Sequence, residues 1–218
     1  MPSAFPVLYL IRHAETGYNR DGRVQGHTDS SLSRLGIEQA RRIGKRLDYV
    51  QFEAAYASPS RRTMHTARLA LGDAKIEPRE GLREIRLGVW EGQKAEALRK
   101  RYPREVDRWF HSPMAVRIPG AETVGQFRRR VVREMNRIRK QHPAGEIAVV
   151  THAGVICAYL TSVLGMSLDD LWSFKIRNAS VTRVLFPQGK ARIDLLGDIH
   201  HLEGVFREAP NRPFRLFP

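Results

Sequence analysis

Val7-Leu8-Tyr9-Leu10-Ile11 is an unbroken apolar run rich in strand formers, and it stops abruptly at Arg12-His13. A run this short, hydrophobic at every position rather than every second one, is the pattern of a strand buried on both faces, as in a parallel sheet. Downstream, Ser31 to Ser33 offer a helix cap. Leu32, Leu35, Ala40, Ile43 and Leu47 then follow at roughly helical spacing, with Arg41, Arg42, Lys45 and Arg46 between them. An apolar stripe backed by cations is an amphipathic helix lying on a core. The unit is strand, loop, helix.

The unit recurs. Ala54-Ala55-Tyr56-Ala57 reads as a short strand, Ser58-Pro59 as the turn, and a helix runs from about Ser60 to Leu71. Later, Ile147-Ala148-Val149-Val150 is a strand ending at Thr151-His152, and Gly154 opens a helix from Val155 to Leu164 that is apolar on nearly every side and therefore buried. Strands alternating with helices predict a three-layer α/β/α fold with a mostly parallel central sheet. Between the second and third units, Arg83 to Gly120 has a weaker pattern with Trp90, Tyr102, Trp109, Phe110 and three prolines, and reads as an inserted cap over about 85–122. A helix from Thr123 to Gln141 follows, with Val124, Phe127, Val131, Met135 and Ile138 three and four apart. Val181 to Phe186 and Ala191 to Leu196 alternate in polarity around Pro187-Gln188-Gly189, which predicts a hairpin at the sheet edge. From Gly204 to Pro218 the tail has three prolines and no period.

Composition narrows the class. The chain has 218 residues, 42% hydrophobic and 28% charged, the profile of a folded domain rather than of a disordered, collagenous or coiled-coil chain. Its single cysteine, Cys157, excludes an internal disulfide and any zinc site of four cysteines or of two cysteines and two histidines, and fits a reducing compartment. The apolar run Ala4 to Ile11 is too short to span a bilayer and is broken by Pro6, so a cytoplasmic protein with no membrane partner is expected. The excess of 37 Lys and Arg over 23 Asp and Glu, a formal +14, makes anions acceptable partners without choosing among phosphorylated metabolites, nucleic acid and membrane surfaces. The many cations between Arg128 and Lys140 read as the solvated face of a helix.

In a parallel sheet, ligands collect beyond the carboxyl ends of the strands. Three such ends carry Arg12-His13, Ser58 with Arg61-Arg62 close behind, and Thr151-His152. Two imidazoles and several guanidinium groups at one site call for a ligand that offsets crowded positive charge, and a phosphate dianion does so. No Gly-rich loop with Lys-Ser/Thr is present, Cys157 lacks an arginine six residues on, and neither an Asp-x-Asp pair nor an Asp/His run for two metals occurs. Histidine is the nucleophile that remains.

Leu10-Ile11-Arg12-His13-Ala14-Glu15-Thr16, then Asn19, Gln25-Gly26 and Leu32-Ser33-x-x-Gly36, resembles the histidine phosphatase, or phosphoglycerate mutase-like, superfamily. Ser58-Pro59-Ser60-Arg61-Arg62 with Thr66-Ala67, Leu82-Arg83-Glu84 leading to Gly88-Val89-Trp90-Glu91-Gly92, Pro119-Gly120-Ala121-Glu122-Thr123, and Val150-Thr151-His152-Ala153-Gly154 resemble its further motifs, in order. The resemblance implies a single domain over 1–218 and a phosphatase that works through phosphohistidine without metal or other cofactor. It implies His13 as nucleophile, Glu84 as general acid, and Arg12, Arg62 and His152 as the phosphate clamp. Arg61 is left as a surface cation, because the spacing to Thr66-Ala67 favours Arg62. Asn19, Gln25 and Gly26 resemble contacts to phosphate or to the rest of the substrate.

Two departures bear on function. Position 14 is Ala where the family usually has Gly, and the stretch after Glu84 lacks the longer insertion of the cofactor-dependent mutases, which favours hydrolysis over transfer. The expected partner is a small phosphorylated metabolite such as a sugar phosphate or phosphoglycerate, with Trp90, Tyr102, Trp109, Phe110 and Arg117 as either pocket lining or cap core. A homodimer is compatible with the sequence, and nucleic acid is disfavoured as a partner. The alternatives are a phosphoglycerate mutase, or a binding module that uses the same scaffold for anions or nucleic acid.

Overall fold

A computed structural model describes residues 3–205, so most of the expected tail lies outside the described residues. The apolar run becomes β1 (Pro6–Arg12), and β2 (Phe52–Ala57), β3 (Ile76–Pro78), β4 (Gly145–Thr151), β5 (Val181–Leu185) and β6 (Arg192–Asp198) complete one sheet in the order β3-β2-β4-β1-β5-β6. The first four positions in that order run parallel. β5 pairs antiparallel with β1, and β6 pairs antiparallel with β5 at the edge. The expected hairpin is present, but its first strand lies inside the sheet.

Alternate residues of the strands feed two separate cores, as a period of two requires. On one face, Val7, Tyr9 and Ile11 pack against α2 (Arg34–Leu47) and α3 (Arg61–Leu71). On the other, Leu8, Leu10, Ile147 and Val149 pack against α6 (Val124–Gln141) and α7 (Ala153–Val163). These are the three layers. The α2 cap is Ser33, whose hydroxyl accepts from Gly36 N–H at 3.0 Å, and Thr123 and Gln126 form a capping box at the start of α6. Gly36 has a second reason: a Cβ there would collide with the carbonyl of Glu15, in the loop that follows His13.

A four-residue turn, α1 (Gly17–Arg20), follows β1. The weakly patterned stretch holds two short helices, α4 (Ala95–Arg101) and α5 (Pro103–His111), which run into each other at Tyr102. Trp90 and Trp109, each 2% exposed, meet edge to face with ring centroids 6.1 Å apart, and Tyr102 and Phe110 pack against the same core. Arg117 turns back to the carbonyls of Met114 and Val116. The four aromatic residues build the core beneath the inserted segment while Arg117 stays exposed, so the expectation that the aromatics line a pocket gives way to its alternative: the indoles bury too much surface to be left facing solvent.

Candidate active site

The sheet register alone brings three loops together. Arg12 lies opposite Thr151 and Ala57 opposite Val150, so His13, His152 and Ser58 each stand one residue past the end of adjacent strands β1, β4 and β2. The ladder continues briefly beyond them, with His13 N–H donating to Thr151 O at 2.9 Å and Ser58 N–H to Val150 O at 3.0 Å. The two imidazole rings are 5.3 Å apart, centroid to centroid.

Hydrogen bonding assigns the protons. His13 Nδ1 is 2.8 Å from Ala14 O, which can only accept, so Nδ1 carries the hydrogen and Nε2 keeps its lone pair. His152 Nδ1 is 3.2 Å from Arg62 Nη2, which can only donate, so here Nδ1 is the acceptor and the neutral ring holds its hydrogen on Nε2, 2.8 Å from Ser58 Oγ. Both rings are held well below the usual histidine range, first by burial and then by the Arg62 and Arg12 charges; His152 is lowered by His13 as well.

Arg62, 1% exposed, enters from the first turn of α3. Nη1 donates to Thr28 O (3.1 Å) and to Asp29 Oδ1 (3.0 Å), and Nη2 to Gly26 O (2.8 Å). Its buried Nε has no partner among the described residues. Arg61, one residue earlier, is exposed. Arg12 is buried beside His13 and donates through Nη1 to Ile176 O at 2.6 Å. The Thr66 hydroxyl accepts from Ala14 N–H at 3.1 Å and donates to Arg62 O at 2.7 Å, tying the loop that carries His13 to the helix that carries Arg62.

Glu84 reaches the start of α7, where Oε2 accepts from Gly154 N–H at 3.2 Å, and Oε1 accepts from Ile85 N–H at 2.9 Å. Arg83 pairs with Glu80 and not with Glu84. Burial raises its pKa, against the two N–H donors and the Arg62 and Arg12 charges, which lower it. A Cβ on Gly154 would collide with Glu84 Oε1. The carbonyl of Glu84 accepts from His27 Nε2 (3.0 Å) and Arg130 Nη2 (3.3 Å), and Arg130 is itself paired with Glu122 at 2.6 Å.

The remaining polar residues are divided. Asn19 caps α1 in a box with Thr16, and its Oδ1 accepts from Asn178 Nδ2 at 3.2 Å. Gln25 is buried with Oε1 unpartnered among the described residues. Gly26 has φ +56° and gives Arg62 its carbonyl; a Cβ there would strike the Glu91 carboxylate. That carboxylate accepts from His27 N–H, Thr28 N–H and Leu87 N–H at 2.8–3.0 Å, bracing the Gly26 loop against the Glu84 loop.

Sequence reasoning passed over Asn178, which donates to the carbonyl of His13 at 3.1 Å, and assigned no role to Ser58. The position of Asn178 follows from pairing: Ile11 opposite Val181 places 178–180 beside 12–14. Among the described residues, no group of three or more His, Cys, Asp or Glu could hold a metal ion, and no helix is long and apolar enough to cross a membrane.

Comparison with known proteins defines the class. The chain belongs to the histidine phosphatase superfamily (branch 1), whose family model matches residues 8–199. It is 32% identical over 205 residues to phosphoserine phosphatase 1 of Hydrogenobacter thermophilus, covering 93% of this chain and 97% of that protein. It is 31% identical over 204 residues to the metal-independent phosphoserine phosphatase of Arabidopsis thaliana, covering 91% and 84%. Among solved structures, Bacillus stearothermophilus YhfR superposes with a TM-score of 0.86 at 33% identity, over 91% of this chain and all of that one.

Proposed function

We propose that the chain hydrolyses a small phosphate monoester through a phosphohistidine formed on His13, without a metal. It is a phosphoric monoester hydrolase of the histidine phosphatase family, and phosphoserine is the first substrate to test, since two of its relatives carry that name. The observation that carries the reading is the protonation pattern: His13 keeps Nε2 unprotonated because Nδ1 is committed to Ala14 O.

In the first step Nε2 attacks phosphorus, the N–P bond forms as the ester P–O bond breaks, and the leaving alkoxide takes the proton of Glu84. In the second, Glu84 takes a proton from water, whose oxygen attacks the phosphoryl group and releases inorganic phosphate and neutral His13. Charge on the non-bridging oxygens is met by Arg12 and Arg62, each worth about 4 kcal/mol against one anionic charge at about 4 Å and an effective dielectric near 20. Burial shifts the Glu84 carboxyl toward its protonated form and the His13 imidazole toward its neutral form, the directions that an acid and a nucleophile need.

Phosphate release from phosphoserine, with and without EDTA, tests the reading against a panel of sugar phosphates and phosphoglycerates. Turnover that survives the chelator supports it. Activity that needs added metal, or no release from any monoester, overturns it.

A further inference from the structure

His152 is held by Arg62 at Nδ1 and by one small side chain, Ser58, at Nε2. Ser58 Oγ lies 2.8 Å from Nε2 and both residues are fully buried. The Ser58 hydroxyl donates onward to Ser60 Oγ at 3.3 Å. Ser60 is the residue that should cap α3, yet its side chain makes no cap bond; it is spent on Ser58 instead. Thr63 Oγ1 reaches the carbonyls of both Ser58 and Ser60 at 2.7 Å, which fixes the turn on which the two hydroxyls sit. Because Arg62 Nη2 can only donate to Nδ1, the imidazole hydrogen sits on Nε2 and is given to Ser58 Oγ, which leaves the Ser58 hydrogen for Ser60.

This has a consequence for the ligand. The ring atom on the Arg62 side, Nδ1, is then an acceptor, and an acceptor facing a phosphoryl oxygen repels it. We propose that Ser58 is a positioning residue for His152, and that His152 takes up a proton on Nδ1 whenever a phosphoryl dianion enters the pocket. The inference rests on the reading of this pocket as a phosphate site. On binding, the Arg62 Nη2 to Nδ1 hydrogen bond breaks, the new Nδ1–H donates to the anion, and Arg62 Nη2 keeps its bond to Gly26 O. The groups that face this ring are Arg62 from α3, His13 and Arg12 from the end of β1, His27 from the Gly26 loop, and Glu84 bonded to Gly154 two residues on. Burial is the first cause that keeps the ring neutral, and Arg62, His13 and Arg12 add to it; an anion offsets the charges.

Tungstate, a dianion at neutral pH that carries no transferable proton, is the probe. Calorimetric titration in two buffers of different ionisation enthalpy counts the protons taken from solvent, and nitrogen NMR of the histidine rings reads the tautomer in the free enzyme. Wild type, Ser58→Thr and His13→Ala should each take up about one proton, while Ser58→Ala, free to turn Nδ1–H toward the anion, should take up less than half of one. The free wild-type enzyme should show His152 protonated on Nε2. Binding without proton uptake, equal uptake in Ser58→Ala, or a free-enzyme Nδ1–H tautomer each overturns the proposal while leaving the phosphate pocket standing. If wild type fails to bind tungstate, the pocket reading falls instead, and the tautomer in the free enzyme still decides whether Ser58 acts as stated.

Discussion

A general acid must hold its proton near neutral pH, and Glu84 sits between influences of opposite sign. Burial favours the protonated form, while two backbone N–H donors and two guanidinium groups favour the carboxylate; burial dominates. The same residue can thus donate in one step and accept in the next. Glu84→Gln should lower kcat by about 10²–10⁴-fold on an alkyl phosphate. The loss should be much smaller on an aryl phosphate, whose leaving group departs without a proton; an equal loss on both would remove Glu84 from proton transfer. His13→Ala should lower kcat by about 10⁴-fold or more on either substrate, measured as released phosphate.

At the scale of the element, the site depends on how α7 and α2 approach the loops. Glu84 lies on the N–H of Gly154 because no side chain intervenes, so Gly154→Ala should displace its carboxylate and cost about 10²-fold in kcat with little change in the unfolding midpoint. Gly36→Ala pushes instead on the backbone of Glu15, and should destabilise the protein by about 1–3 kcal/mol in urea titration. An α2 that tolerated alanine there would show that the loop after His13 is not clamped as described. The elements that carry this geometry were legible in the sequence, since β1, β4, α2 and α6 each announce themselves by an unbroken apolar run or by a three-four spacing with a cap. The short β3, α4 and α5 were not, because three-residue strands and helices of two turns leave no period to read. Asn178 was hidden for a related reason: it acts from an irregular segment through a contact that exists only once β5 pairs with β1.

For the molecule as a whole, two buried neutral imidazoles in one pocket make stability depend on pH. Their folded pKa values lie below the ordinary 6.5, so below that pH the unfolded chain binds more protons than the folded one. The stability they contribute is complete above pH 6.5 and is lost as the pH falls, at about 1.4 kcal/mol per pH unit for each ring. Glu84, with its pKa raised, contributes in the opposite sense over a single proton, and the two histidines outweigh it. The free enzyme should therefore unfold at lower urea concentration at pH 5.5 than at pH 7, and His13→Ala should show a smaller change than wild type. A midpoint independent of pH in this window would mean that the rings are not enclosed as the fold places them. The strand ends that assemble the pocket, with His13, Arg12, Arg62, His152 and Glu84 around it, could be read from motif and order. The direction of each ring nitrogen could not, since it depends on carbonyls and hydroxyls brought in by other segments.

The most direct test of the account is chemical quench of the enzyme during turnover of a 32P-labelled monoester. It predicts a labelled protein that is stable to base and labile to acid, formed within the first turnover, mapped to a peptide containing His13, and absent in His13→Ala. Rapid turnover with no labelled protein, or label that persists in His13→Ala, would contradict it.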